Sequence, residues 1–396
     1  MNDVLPIQPD EPQSKSELPV QIRSLRELVE RVSGRGLRPL SESGDAGVAE
    51  VLPFPFLAIV GQMEMKLALL LALINPAVGG VLLVGPRGAG KTTAARSLVD
   101  LLPEIPRSLC YYGCMPEDVE TGGIDAVCPE CSKKFARGEP LTKLDRVRLV
   151  ELPLNARLDD VVGGLDERAT THERQRLRRG ILSQADRNLL YVDEVNLLSD
   201  EVVDAILDAA SQGAYTVRRG PISATYRARF VLVGSMNPEE GHLRPQIMDR
   251  FGLRVIVRGL SDPAERLEAY HRVQAYLTKP RQVVLDFSIE TSQAQADIQA
   301  ARERLPGVTL PDKVAGLGLA AVNRLKVDSL RAEITMFEAA RAYAAADGRT
   351  EVTTDDLREV APMALRLRRS SFMSEYFKGQ DIEEHELVDV LKEKSS

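Results

Sequence analysis

The sequence predicts an α/β fold, a parallel sheet flanked by helices, followed by a smaller all-helical C-terminal domain. Three observations predict it. Short, fully apolar runs at Val81–Val84, Leu189–Val192 and Phe230–Val233 alternate with helical stretches, the pattern of strands buried on both faces with helical crossovers. A glycine-rich turn follows the first run directly. From Asp262 onward the apolar spacing is helical only.

The elements follow in order. Met1–Leu18 is polar and proline-bearing and reads as disordered. Ile22, Leu25, Leu28, Val29 and Val32 share one helical face, ended by Gly34 and Gly36, and Ser41–Asp45 reads as a linker. Residues 1–50 are thus expected to form an N-terminal extension. The sheet domain is expected over 51–260. It opens with an apolar helix, Met63–Ile74, stopped by Asn75-Pro76, and a second helix, Lys91–Leu102, runs to Pro103. Over 261–396, helices are predicted at Leu267–Leu277, Ser329–Ala345 and Asp355–Leu365, the last with Thr354 as its N-cap, before an acidic tail from Glu383.

Length and composition narrow the function. The chain has 396 residues and a net charge of −7, with no tryptophan. Neither a clustered cationic surface nor a base-stacking one is indicated, so no nucleic-acid partner is expected. No apolar run is long enough for a membrane span. The start lacks the basic and apolar segments of a secretory signal, and the expected compartment is the cytoplasm.

Gly85-Pro86-Arg87-Gly88-Ala89-Gly90-Lys91-Thr92 fits the phosphate-loop pattern between an apolar strand and a helix. Glycines let the backbone curl so that N–H groups face phosphate oxygens, and the helix from Lys91 adds its positive end. Lys91 would reach the β- and γ-phosphates, Thr92 would offer its hydroxyl to Mg2+, and Thr93 continues the binding segment. The alternative is a glycine-rich surface turn. Leu189–Val192 ends in Asp193-Glu194. At the carboxyl edge of a parallel sheet, Asp193 would hold Mg2+ and Glu194 would polarise the attacking water. Otherwise the two acids merely cap a following helix. Asn237, after Phe230–Val233, would hydrogen-bond the γ-phosphate and the water, or else form an Asn-Pro turn.

With these residues in place, the chain resembles the magnesium chelatase ATPase subunit family (I subunit) of the AAA+ superfamily. The resemblance spans about 54–369. It rests on Phe54-Pro-Phe-Leu-Ala-Ile-Val-Gly-Gln62, Met65–Leu71, Gly79–Gly85, Met236-Asn-Pro-Glu-Glu-Gly241 and, above all, Leu243-Arg-Pro-Gln-Ile-Met-Asp-Arg-Phe-Gly252. The resemblance implies that Val60 and Gly61 lie beside adenine, that Asn237 is the first sensor, that Arg250 is an arginine finger acting on a neighbouring subunit (Arg244 the runner-up), and that Arg331 is the second sensor. It further implies a homo-oligomeric ring, most simply a hexamer. Its partners would be a second AAA+ subunit with a von Willebrand-type domain and a porphyrin-binding subunit on which ATP turnover drives magnesium insertion. Leu154–Gly180 resembles the family's inserted hairpin. Its basic run Arg174–Arg179 reads as a solvated helix face or a partner contact. The C-terminal continuation after Arg369 and the longer N-terminus place the chain on a side branch.

Two other readings share some of these features. A MoxR-like remodelling ATPase would have the same fold and sites with no porphyrin partner. A helicase-like motor is disfavoured by the charge and the scarcity of aromatics.

All four cysteines fall within one segment, Cys110-x3-Cys114 and, thirteen residues later, Cys128-x2-Cys131. Two thiolate pairs separated by a loop suit tetrahedral Zn2+ in a structural role. Redox-active thiols and unengaged cysteines are the alternatives.

Overall fold

Why the strands read as continuous apolar runs is plain from their neighbours. The computed structural model describes residues 52–110, 112–165, 177–220 and 222–368. Within them, β1 (Val81–Val84), β4 (Leu149–Leu152), β7 (Leu189–Val192), β10 (Val231–Met236) and β11 (Leu253–Ile256) form a five-stranded sheet in the order β11-β1-β10-β7-β4. Every pairing is parallel. Such a sheet must be covered on both faces. Alternate residues accordingly enter two cores: Val81, Leu83, Tyr191 and Val233 face one, while Leu82, Val84, Val192 and Leu232 face the other.

The first core contains α1 (Met63–Ile74) and extends into the C-terminal helices. The second is closed by α7 (Asp200–Gln212). The phosphate-loop helix α2 (Lys91–Ser97) continues as a 3-10 turn to Leu101, close to the predicted stop at Pro103. Between α2 and β4 lies an inserted lobe: β2 (Ile105–Ser108), α3 (Pro116–Gly122), α4 (Pro129–Ala136) and β3 (Thr142–Asp145), with β2 and β3 antiparallel. After β4 come α5 (Leu158–Val162), the hairpin β5 (Gly163–Leu165) and β6 (Leu177–Arg179), and α6 (Ile181–Gln184). A second hairpin, β8 (Ala214–Arg219) and β9 (Ile222–Arg227), precedes β10.

Beyond the sheet the chain is helical: α8 (Pro245–Arg250) precedes β11, and then α9 (Pro263–Thr278), α10 (Pro280–Asp286), α11 (Ser288–Arg304), α12 (Asp312–Arg324), α13 (Leu330–Ala346) and α14 (Thr354–Leu365) follow. Helix α13 buries Ala332, Ala339, Ala340, Ala342, Ala344 and Ala345. Small side chains let its backbone approach its neighbours closely.

Four readings need correction. The third strand runs Val231–Met236, not Phe230–Val233. Strands β4 and β11 were not expected, because Glu151 and Arg254 interrupt their apolar character. The cap of α14 is Thr353, whose hydroxyl accepts from Asp356 N at 3.4 Å while Asp356 returns a bond to Thr353 N at 2.8 Å. Leu177–Arg179, in the basic run, is a strand paired with β5 and not a helix face. The expected N-terminal helix at Ile22–Val32, the linker, Arg174 and the acidic tail lie outside the described residues.

Candidate active site

Parallel sheets place strand ends and the following loops on one edge, and there Lys91, Thr92, Asp193, Glu194 and Asn237 meet. The loop after β1 is held to β10 by Gly85 N, which donates to Met236 O at 3.1 Å. Gly85 admits no side chain: a Cβ would lie 2.1 Å from Val257 O. Gly88 and Gly90 have φ of 76° and 85°, left-handed values that let the loop curl. Lys91 is buried, its Nζ donating to Gly85 O at 2.7 Å and Pro86 O at 2.8 Å. Burial holds its pKa below the usual lysine range, opposed by the nearby charges of Asp193, Glu194 and Glu240. Thr93 is exposed on the first turn of α2.

A chain of hydroxyls joins this loop to the end of β7. Thr92 Oγ1 lies 3.0 Å from Tyr191 Oη, which donates to Asp193 Oδ1 at 2.8 Å. Burial pushes the Tyr191 phenol up, keeping it a neutral donor. Ser235 on β10 is fully buried. Its hydroxyl donates to the same Asp193 oxygen and accepts from Glu194 N at 3.1 Å. That bond secures Glu194 in a left-handed conformation, φ 47°, which is uncommon for a side chain of this size. Glu194 occupies the N-cap position of a 3-10 turn, Val195–Leu197, but makes no side-chain capping bond there, and α7 begins only at Asp200.

Asn237, at the end of β10, is 3% exposed. Its Nδ2 donates to Glu240 Oε1 at 2.8 Å, and its Oδ1 accepts from Glu239 N at 3.3 Å. The carboxylate of Glu240 also pairs with Arg87 Nε at 2.5 Å, and Arg87 Nη2 lies 3.4 Å from Glu194 Oε1. Burial first, and the like charge of Glu240 second, raise the Glu194 pKa above the usual carboxylate range. Hydrogen bonds from Asn237 and Arg87 hold Glu240 low. Gly61, at φ 61°, packs beside the start of α9: a Cβ there would sit 2.7 Å from Leu260 Cδ2. Gln62 Nε2 donates to Arg258 O at 2.6 Å. This puts the Val60-Gly61 segment against the stretch that follows Val257, the residue touching Gly85.

An AAA domain model matches residues 78–237, and an AAA lid domain model matches 320–387. The magnesium-chelatase subunit ChlI homolog of Methanocaldococcus jannaschii is 41% identical over 347 residues, covering 87% of this chain and 93% of that protein. The magnesium-chelatase 38 kDa subunit of Cereibacter sphaeroides is 44% identical over 321 residues, covering 80% and 93%. A BchI chain, from a structure of the complex between subunits BchI and BchD of magnesium chelatase based on a cryo-EM reconstruction, is 40% identical. It covers 81% of this chain and 97% of that one, with a TM-score of 0.47.

This chain belongs to the magnesium-chelatase ATPase-subunit family. The AAA+ fold expected from the resemblance is the fold observed, and the family's ATP and Mg2+ use comes with it.

The family's expected arginines lie apart from the phosphate loop. Arg250, at the end of α8, pairs with Asp208 at 2.9 Å and Asp204 at 3.0 Å, both on α7. Arg244 is more exposed and pairs with Asp200. Arg331, in the first turn of α13, is half-exposed, with Nη1 3.9 Å from Asp249 Oδ2. Asp249 therefore joins the finger candidate's helix to the sensor candidate's helix. It also accepts from Ser329 Oγ at 2.8 Å and from Arg368 Nη1 at 2.6 Å. Arg254 completes this cluster: its side chain is wholly buried, donates to Met248 O at 2.9 Å, and is pushed down to about 9 by burial and then by Arg368.

Sequence reasoning missed Tyr191, Ser235, Glu240, Asp249 and Arg254. Only Arg254 carried a signal, a charge inside a stretch otherwise apolar enough to be a buried strand. The four cysteines do converge: their sulfurs lie within 4.8 Å of one another. No disulfide joins them. The hydrogen bond between Cys110 and Cys114 draws the Cys110 thiol down and pushes Cys114 up, while burial pushes Cys131 up.

Proposed function

We propose that this chain is the motor subunit of a magnesium-chelatase complex. It hydrolyses ATP in a homo-oligomeric ring, most simply a hexamer. The turnover drives magnesium, the substrate ion, into a porphyrin held on a separate subunit. A second AAA+ subunit with a von Willebrand-type domain would bridge the two, and the expected compartment is the cytoplasm. The observation that carries the reading is the meeting of Lys91, Thr92, Asp193, Glu194 and Asn237 at one edge of β1, β7 and β10, in a chain of this family.

The residues fit nucleotide and Mg2+. The loop curls on left-handed glycines around an ammonium already inside it, and a hydroxyl and a carboxylate face each other through Tyr191. Thr92 and Asp193 would hold Mg2+, which supplies charge neutralisation on the phosphates. The remaining work belongs to the protein. Lys91 exchanges its two carbonyl acceptors for phosphate oxygens. Glu194, in a partly desolvated setting, orients and polarises water, and Asn237 positions it. Arg250 would leave Asp204 and Asp208 to meet the γ-phosphate bound by the adjacent subunit, and Arg331 would meet it from the helical lid. Replacing Glu194 with Gln tests the assignment: the variant should bind ATP and fail to hydrolyse it. Unchanged turnover would remove Glu194 from the mechanism.

The four cysteines are read as a structural Zn2+ site. Four thiolates leave no open coordination position, so this metal takes no part in hydrolysis.

A further inference from the structure

The inserted lobe, residues 105–145, cannot be held by its own apolar core. That core consists of Cys114, Val127, Cys128, Cys131 and Leu141, so three of its five members are cysteines. Lobes this poor in buried carbon are generally stabilised by a metal or by disulfides. Local geometry favours the metal. Cys110 Sγ accepts from Cys114 N at 3.2 Å, Cys114 Sγ from Cys128 N at 3.2 Å, and Cys128 Sγ from Cys131 N at 3.4 Å. Backbone N–H groups directed at sulfur favour the thiolate form that binds metal. Cys128 also sits at the N-cap of α4, on that helix's positive end.

A zinc ion with four thiolates carries a net charge of −2. Buried charge requires a counter-charge, and one residue outside the lobe meets the description. Arg179, from β6, lies over the turn between Cys110 and Cys114. Its Nη1 would be 1.6 Å from a Cβ at Gly113, whose φ of +64° and lack of side chain leave the space. Its Nε is buried and has no hydrogen-bond partner among the described residues. No carboxylate pairs with it there either, while its Cζ lies 5.5 Å from the centre of the Tyr226 ring. Other arginines nearby are matched: Arg187 meets Glu117 at 2.5 Å, and Arg227 meets Glu117 at 2.9 Å and Asp118 at 3.1 Å. We infer that Arg179 is the counter-charge of the zinc–thiolate centre and that this contact ties the β5–β6 hairpin to the lobe. The inference rests on the zinc reading of the four thiols. Its consequence is that metal occupancy governs where the hairpin sits.

The full-length chain tests this without any activity assay. Elemental analysis should find one zinc per chain, and its release to the chelator 4-(2-pyridylazo)resorcinol can be followed by absorbance. Arg179→Gln should weaken retention by about 10–100-fold, as loss of a group supporting a metal site does. Arg179→Lys should keep most of it. Arg178→Gln, on the same hairpin but paired with Asp160 at 3.8 Å, should match wild type. Stripping zinc from wild type should also speed amide exchange at Gly163–Leu165 and Leu177–Arg179. A chain purified without zinc, whose four thiols titrate freely, would sink the zinc reading and this inference together. Zinc at one per chain with equal retention in Arg179→Gln, or with hairpin exchange unmoved by zinc removal, would overturn the Arg179 inference alone.

Discussion

The nucleotide site and the cysteine lobe are held in opposite ways. At the sheet edge, β1, β7 and β10 are buried along their whole lengths, and two cores grip their alternate side chains. Asp193 and Glu194 are thereby positioned before any ligand arrives, with Ser235 and Tyr191 as supports. The lobe has a core of five residues and brings together groups that repel one another when ionised. Its geometry makes sense as a ligand set. Where carbon packing is plentiful the fold prepares the site, and where it is scarce the ligand must help to make the fold.

The largest expected effect concerns what the sheet edge lacks on its own. Arg250→Ala should lower ATP turnover by about 10³–10⁵-fold, the range for an arginine finger. Nucleotide affinity should be nearly unchanged. Phosphate release measured alongside fluorescent-nucleotide binding checks both, and near-normal turnover would return Arg250 to a simple partner of α7. Glu194→Gln should cost about 10²–10⁴-fold by the same assay, again with binding retained.

Zinc removal addresses the contrast directly. Amide exchange in 105–145 should rise sharply after chelation, while β1, β7 and β10 keep their protection. Uniform loss of protection across both regions would mean that the lobe and sheet share one stability. A smaller effect is expected from Ser235→Ala. It strips the partly buried Glu194 N–H of its acceptor and Asp193 of a donor, a loss of about 1–3 kcal/mol of unfolding free energy by denaturant titration.

The finest test is of pH. Glu194 has its pKa raised above 4.5, by burial first and Glu240 second. A raised carboxyl protonates earlier as pH falls, so the acid limb of hydrolysis should lie above the ordinary glutamate range. By linkage, the ionised form costs the fold stability above that pKa; the cost shrinks as pH falls through it and is gone below the unfolded value of 4.5. Glu240→Gln removes the like charge but leaves the burial, and should shift the limb only part of the way down. A limb that does not move would show that burial acts alone.

Much of the fold could be read from residues that obey one rule each. Met63–Ile74, Val81–Val84 and Leu189–Val192 have the predicted bounds: the two strands are uninterrupted apolar runs in a doubly covered sheet, and the helix is an apolar stretch stopped by Asn75-Pro76. The third strand runs on past Val233 through Gly234 and Ser235, residues with no strand signature. Glu151 and Arg254 hid two strands for the same reason. Arg254 is tolerated inside because carbonyl oxygens of Met248, Phe251 and Arg366 receive its guanidinium, and those carbonyls come from different parts of the chain.

By itself, then, the sequence determined the strand–loop–helix unit, the acid pair, the cysteine spacing and the family, since each is carried by neighbouring residues whose chemistry is local. Only the tertiary structure decided that Ser235 holds Asp193 and Glu194, that Glu240 joins Asn237 to Arg87, that Asp249 links α8 to α13, and that Arg179 lies on the cysteine turn. These are contacts between residues tens to more than a hundred positions apart, or between polar groups at loop ends. No periodicity records them, because they exist only after the sheet has stacked its strands in the order β11-β1-β10-β7-β4.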